Sequence, residues 1–205
     1  GLGVDWEQLL TEAIIAAGGK IDLENPRHKE ALKEQSEALE KITTRKISAL
    51  VGRAGTGKTS VMGALLRVPK LRVEEGILLL APTGKARVRL SKAAQAEAMT
   101  VAQFLYRLQR YDGIRQRPLY EGEEIYRKEM NVIIDECSML TMDDLTAVLK
   151  ALDLGHVKRI ILVGDPNQLP PIGPGRPFAD FAGYLDKAKG LIDEDSLLIS
   201  DALAR

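Results

Sequence analysis

The chain has 205 residues, 45% of them hydrophobic and 28% charged, and its 29 basic and 29 acidic residues give a formal net charge of zero. This composition is typical of a globular domain, and the zero net charge requires that any nucleic-acid surface come from charges segregated on part of the surface. The single cysteine excludes an internal disulfide, and no apolar run approaches the roughly 20 residues of a membrane span. We therefore expect a cytoplasmic protein with no membrane partner.

The two ends of the chain suggest a piece of a longer protein. The first residue is Gly1 rather than methionine, and the chain stops at Arg205, shortly after the apolar run of residues 196–200. We expect residues 1–25 to be a helical linker or the end of a preceding domain. Residues 26–205 are expected to form one α/β domain.

Helical and strand patterns alternate along the chain. Helices are predicted at residues 5–17, 27–44, 60–66, 85–97, 100–110 and 142–152. Short, nearly continuous apolar runs predict strands at residues 46–51, 77–80, 132–134 and 159–163. Such strands are covered on both faces, and their alternation with helices predicts a parallel sheet with helices on both sides. Residues 111–129, which mix glycine, proline and charge, are predicted to form an exposed excursion.

The first chemical signal is a glycine-rich loop between a strand and a helix. Its sequence GRAGTGKT fits the phosphate-binding pattern G-x-x-x-x-G-K-[ST]. Backbone N–H groups and the positive end of the helix dipole would bind phosphate oxygens, Lys58 would reach the β- and γ-phosphates, and Thr59 would bind Mg²⁺. The predicted nucleotide-binding residues are Gly52, Arg53, Ala54, Gly55, Thr56, Gly57, Lys58, Thr59 and Ser60. A glycine turn with an incidental lysine is the alternative, and it leaves the flanking strand and helix unexplained.

Three further motifs follow predicted strands. Asp135 and Glu136 come after the strand at 132–134, where Asp135 would hold Mg²⁺ and Glu136 would activate water. Gln168, in GDPNQLPP, can donate and accept hydrogen bonds and is suited to contact the γ-phosphate or the water. Pro82, Thr83 and Lys85, in APTGKA, could hold a phosphate of an extended polymer. Because ligands bind at the carboxyl ends of parallel strands, we expect these motifs to meet at one edge of the sheet.

Together these residues resemble the first motor domain of superfamily 1 DNA helicases, of the RecD-like branch (exodeoxyribonuclease V alpha subunit or RecD–TraA type). The motifs GRAGTGKT, APTGKA, IIDECSM and GDPNQLPPIG occur in the family's order, over about residues 30–180. The resemblance implies a RecA-like fold, ATP and Mg²⁺ as cofactors, and 5′-to-3′ movement on single-stranded DNA. It also implies a second RecA-like domain of the same parent chain and other recombination or repair subunits as partners. Gln35 stands where the family has its adenine-recognising glutamine.

One motif departs from the family. The family's T-I-H-R-L-L is Thr100-Val101-Ala102-Gln103-Phe104-Leu105 here, which keeps Thr100 as a DNA-contact candidate and leaves the helicase part of a conjugative relaxase as an alternative. Residues 85–117 hold eight basic and two acidic residues, which favours phosphate contacts. Aromatic side chains between these charges could stack bases, although helical spacing places Phe104 and Leu105 in the core.

The resemblance implies a second motor domain outside this chain, and this determines the activity that we expect of the chain. In this family the second domain supplies arginines that stabilise the transition state, and such an arginine contributes roughly 10³–10⁵ in rate. We therefore expect the chain to bind nucleotide but to hydrolyse it slowly. The hypotheses that compete with a helicase domain are a P-loop kinase, a small-molecule ATPase and a nucleotide-dependent binding module. Dependence of hydrolysis on single-stranded DNA separates the helicase hypothesis from all of these.

Overall fold

A computed structural model describes residues 2–51, 58–164 and 197–200, with backbone alone at Val51, Lys58 and 197–200. Within these residues, parallel strands form a sheet in the order β3-β2-β6-β7-β1-β8. The strands are β1 (Ile47–Val51), β2 (Ile77–Ala81), β3 (Met99–Thr100), β6 (Asn131–Ile134), β7 (Arg159–Gly164) and β8 (Leu197–Ser200). The predicted fold class, a RecA-like parallel α/β sheet, is confirmed.

Helices cover both faces of the sheet. They are α1 (Trp6–Ala16), α2 (Pro26–Thr44), α3 (Lys58–Leu66), α4 (Gly84–Ala94), α5 (Val101–Arg107) and α6 (Met142–Ala151), with a π-helix at Lys70–Glu75 and a 3₁₀ turn at Cys137–Met139. Alternate residues of each strand point to opposite faces. Leu78 and Leu80 pack with α5 and α6, whereas Leu79 and Ala81 pack with α1 to α4.

The amino-terminal helix packs on the same core as the rest of the domain. Trp6 and Leu10 are buried with α2 and α3, and the indole Nε1 of Trp6 donates a hydrogen bond to Glu40 at 2.9 Å. The division of the chain at residue 25 stays a prediction.

Helix ends depend on local caps. Thr83 accepts a hydrogen bond from the backbone N–H of Ala86 and starts α4. The helix ends at Ala94 rather than at the predicted residue 97, because Gln95 adopts a left-handed backbone with φ of 50°. A residue in that conformation stops the helical hydrogen-bond pattern.

The excursion at 111–129 is more ordered than its composition suggests. It contains a two-stranded hairpin of β4 (Tyr111–Asp112) and β5 (Arg117–Pro118). Beyond the hairpin, the chain runs along α6, where the backbone N–H of Tyr126 donates to Ala151 at 2.8 Å. No helix in the described part of the chain is long and apolar enough to cross a membrane.

Candidate nucleotide-binding site

The carboxyl ends of the central strands lie side by side. Ile134 of β6 pairs with Leu80 of β2 and with Leu162 of β7, and Val51 of β1 pairs with Gly164 of β7. Asp135 therefore follows β6 at the edge where β1 ends and the glycine-rich loop begins. The expected meeting of the motifs at one edge is confirmed for the strand ends that carry them.

The two predicted acidic residues occupy an unusual turn. Both are partly buried, and the backbone N–H of Glu136 donates to Oδ1 of Asp135 at 2.9 Å. Glu136 has a left-handed backbone, with φ of 51° and ψ of 35°. For a residue with a Cβ atom this conformation is costly, and such residues cluster at functional sites.

The glycine-rich loop and the glutamine motif lie outside the described residues. This holds for Gly52, Arg53, Ala54, Gly55, Thr56 and Gly57, and for Gln168. The helix that follows the loop is described: α3 begins at Lys58, and Thr59 and Ser60 form its first turn, with Thr59 exposed. A helix that begins here after a strand provides the N–H groups and dipole that bind an anion.

Gln35 lies on the buried face of α2 rather than on its surface. Its exposed fraction is 9%, and it shares one stripe of the helix with the apolar residues Leu32 and Leu39. No hydrogen bond joins its carboxamide to another described residue. Gln35 is therefore not an ordinary glutamine of the helix surface, and its role toward adenine stays a prediction.

The described residues fit a magnesium–nucleotide site rather than a metal cage. Thr59 and Asp135 offer hydroxyl and carboxylate oxygens, the hard ligands that Mg²⁺ prefers. Within the described residues, no group of three or more histidine, cysteine or acidic side chains could hold a metal ion. Magnesium in phosphate-transfer sites needs only one or two protein ligands, because phosphate and water oxygens complete its shell.

The residues predicted to contact DNA lie at the same edge of the sheet. Ala81 pairs with Thr100, so the starts of α4 and α5 are neighbours. Thr83 and Lys85 are exposed, and Pro82 is partly buried. The Thr83 and Thr100 hydroxyls both accept backbone N–H groups as helix caps, which leaves the proton of each hydroxyl available to a phosphate oxygen.

The basic run at residues 85–117 is not one continuous surface. α4 and α5 lie on opposite faces of the sheet, so the arginines and lysines of the two helices are separated by it. Arg110 is 3% exposed and donates to the carbonyls of Tyr120, Gly122 and Glu124. The prediction that the basic residues of 85–117 contact phosphates is therefore wrong for Arg110. Phe104 and Leu105 are buried, as predicted.

One positioning contact was missed from the sequence. The side-chain Oε1 of Gln103 accepts the backbone N–H of Thr100, while the Thr100 hydroxyl accepts the N–H of Gln103, each at 3.0 Å. This capping box fixes Thr100 at the edge. The signal was present as Thr100-Val101-Ala102-Gln103, which fits the pattern S/T-x-x-E/Q.

Comparisons with known proteins identify one matching family model and several related proteins. A family model described as an AAA domain matches residues 30–192. An uncharacterized protein of Methanocaldococcus jannaschii is 32% identical over 80% of this chain and 15% of its own length. The conjugal transfer protein TraA of Agrobacterium fabrum is 33% identical over 78% of this chain and 14% of its own. The ATP-dependent RecD2 DNA helicase of Deinococcus radiodurans is 34% identical over 73% of this chain and 19% of its own. The chain thus spans less than a fifth of the length of these relatives.

Proposed function

The chain belongs to the AAA domain family, in its RecD-like helicase branch, and from that premise we propose that it is the ATP-binding motor domain of a DNA helicase that moves 5′ to 3′ on single-stranded DNA. The observation that carries the proposal is the turn at Asp135 and Glu136. It lies after the central strand β6, and a single strand, β7, separates β6 from β1, the strand that leads into the phosphate loop. A motor that hydrolyses ATP needs this pair of acids at that edge.

In the proposed mechanism, each residue at the edge has one task. Lys58 and the first turn of α3 bind the phosphates, and Gln35 receives the adenine. Glu136 accepts a proton from the water that attacks the γ-phosphate, and Gln168 contacts the γ-phosphate or the water. Mg²⁺, held by Thr59 and Asp135, would supply charge neutralisation on the phosphates when bound. Pro82, Thr83, Lys85 and Thr100 hold the DNA backbone at the neighbouring strand ends.

The second motor domain belongs to the proposal as well. In the parent protein, a second RecA-like domain would supply arginines to the transition state, and closure of the cleft would step the strand. The chain alone then binds Mg-ATP and hydrolyses it slowly. Repair and recombination are the pathways proposed for it; the helicase part of a conjugative relaxase is the alternative that the similarity to TraA favours.

The test is steady-state ATP hydrolysis with and without a single-stranded oligonucleotide, on this chain and on a longer piece of the parent protein. Strong stimulation by DNA in the longer protein alone supports the proposal. Hydrolysis that is indifferent to DNA in both favours a P-loop kinase or a small-molecule ATPase.

Glu136→Gln tests the role of the carboxylate. Because loss of a general base lowers rates by about 10²–10⁴-fold, hydrolysis should fall by that factor while ATP binding is retained. Glu37→Gln, at an exposed position of α2, is the matched control and should leave hydrolysis unchanged. Equal activity of the two variants would rule out Glu136 as the base.

A further inference from the structure

A cavity of about 210 Å³ lies between α1, α3 and α4. Small side chains form its floor, including Ala13 and Ala16 of α1 and Gly63 of α3. A Cβ atom at Gly63 would lie 3.2 Å from the Cβ of Ala13, so the two helices are in close contact there. Helix packing therefore forms the apolar part of the recess, while the charged side chains that line it are exposed.

Three cationic side chains surround this interhelix cavity. They are Arg67 after the end of α3, Arg72 of the π-helix and Lys92 of the last turn of α4. No acidic residue is among the described residues that line the cavity, and none of the three cations forms an ion pair with a described carboxylate. Three like charges around one recess repel one another, and an anion between them would relieve that repulsion.

Each of the two guanidinium groups is held by the backbone carbonyl of a residue that lines the cavity. Nη1 of Arg67 lies 3.4 Å from the carbonyl of Gly63, and Nη2 of Arg72 donates to the carbonyl of Gln95 at 2.8 Å. A guanidinium carries five N–H donors, so each side chain keeps donors for a further acceptor. Arginine held this way matches the oxygens of a phosphate group well.

The size of the cavity limits the ligand. At about 210 Å³ it is smaller than the roughly 300–1,000 Å³ of sites for drug-sized molecules. We propose that the interhelix cavity is a second anion site that takes a single phosphate or pyrophosphate group through Arg67, Arg72 and Lys92. The group is either a free inorganic anion or the terminal phosphate of a DNA strand. Thr59 also lines the cavity, so the second anion site adjoins the proposed nucleotide site, but its three cationic contacts do not depend on the helicase function.

The experiment is calorimetric titration of inorganic pyrophosphate into the chain saturated with Mg-ADP, so that the phosphate loop is already occupied. Arg67→Ala, Arg72→Ala and Lys92→Ala are compared with Arg27→Ala, which removes an exposed arginine of α2 that does not line the cavity. Loss of one charged hydrogen bond is expected to weaken binding by about tenfold or more, and Arg27→Ala should bind as the unchanged chain does. Lys92→Ala removes no described hydrogen bond, so its folding is not at issue.

A second arm separates the two sources of the phosphate. Oligonucleotides with and without a 5′-phosphate compete against bound pyrophosphate. Displacement by the phosphorylated strand alone assigns the site to DNA ends, and lack of displacement assigns it to the free anion; either result supports the site. Absence of pyrophosphate binding together with absence of any effect of the 5′-phosphate would overturn the proposal. So would binding that all four variants retain.

Discussion

Glu136 carries a conformational cost at the position where the proposed chemistry needs a carboxylate. Its left-handed backbone costs about 1–2 kcal/mol for a residue with a Cβ atom, and nothing about glutamate favours it. The neighbouring Asp135 accepts its backbone N–H and helps to hold the turn. The cost is consistent with a residue that is retained for its side chain rather than for its fit to the backbone.

This cost can be measured by comparing two substitutions that both remove the carboxylate. Glycine adopts the left-handed conformation readily, whereas alanine keeps the Cβ atom. We expect Glu136→Gly to have a free energy of unfolding about 1 kcal/mol higher than that of Glu136→Ala, as measured by urea denaturation. Equal stability, or a less stable glycine variant, would mean that the turn is not left-handed in solution.

Arg110 is the side chain whose role differs most from its sequence interpretation. Its guanidinium donates to the carbonyls of Glu124 at 2.7 Å, Gly122 at 3.0 Å and Tyr120 at 3.3 Å. A Cβ atom on Gly122 would lie 2.8 Å from its Cγ, so the loop wraps closely around the side chain. Arg110 organises the excursion rather than binding a polymer.

Removal of this side chain should open the loop locally. Arg110→Ala leaves three carbonyls without their charged donor, and we expect the free energy of local opening at 119–125 to fall by about 3 kcal/mol. Hydrogen exchange of the amides in that segment would measure the change. Arg117→Ala, at an exposed position of the hairpin, is the control. Unchanged protection in Arg110→Ala would contradict the structural role.

At the scale of elements, an ion cluster around the buried carboxylate of Glu75 joins the π-helix to the amino ends of the sheet. Glu75 accepts hydrogen bonds from Lys158 at 2.7 Å and from Arg159 at 2.8 Å, and it is 6% exposed. Burial alone would raise the pKa of Glu75, but bonds from Lys158, Asn131 and Arg159 together hold that pKa below its ordinary value of 4.5. The cluster lies at the opposite edge from the proposed nucleotide site.

The cluster predicts how stability depends on pH. Because the pKa of Glu75 is lower in the folded state, its contribution is fully present above about pH 4.5 and is lost as the pH falls through the folded pKa. Glu75→Gln should lower the free energy of unfolding by about 3 kcal/mol at neutral pH, and the difference should shrink in acid. Urea denaturation at several pH values measures this difference in the free energy of unfolding. Glu74→Gln, at the exposed neighbouring position, is the control. A difference that does not change with pH would contradict the assignment.

Strands were easier to predict than the elements between them. Continuous apolar runs located β1, β2, β6 and β7 closely, because buried parallel strands need apolar residues on both faces. The π-helix and the hairpin were missed, since neither has a clear hydrophobic period. The end of α4 was misplaced because a left-handed Gln95 cannot be recognised from residue type.

Some features of the candidate site could likewise be predicted from the sequence, and others could not. The place of Asp135 and Glu136 followed from strand polarity alone, and the burial of Gln35 agrees with its place in a stripe of apolar residues. The fate of Arg110 could not be predicted, because a charged residue that binds carbonyls of a distant loop looks the same in sequence as one that faces water. The cavity at Arg67 and Arg72 depends on three helices meeting, which local patterns do not contain.

At the scale of the whole molecule, the net charge is zero, but the sheet separates the basic residues into groups on its two faces. The basic residues of α4 lie on one face, those of α5 and the hairpin on the other, and Arg110 is buried. A DNA strand held at the carboxyl edge would meet the start of α4 rather than the whole basic run. Few phosphates are then neutralised, and the dependence of DNA affinity on salt should be shallow.

Lys85 provides the test of this view, which rests on the proposed DNA function. It is exposed in the first turn of α4, at the edge where Thr83 and Thr100 cap their helices. Each phosphate contact with a single strand contributes about −0.7 to the slope of log affinity against log salt. We expect Lys85→Ala to make that slope less negative by about 0.7, measured by fluorescence anisotropy with a labelled oligonucleotide. Lys20→Ala, an exposed lysine between α1 and α2, should leave the slope unchanged. If both variants change the slope equally, general charge rather than a contact at the edge controls binding.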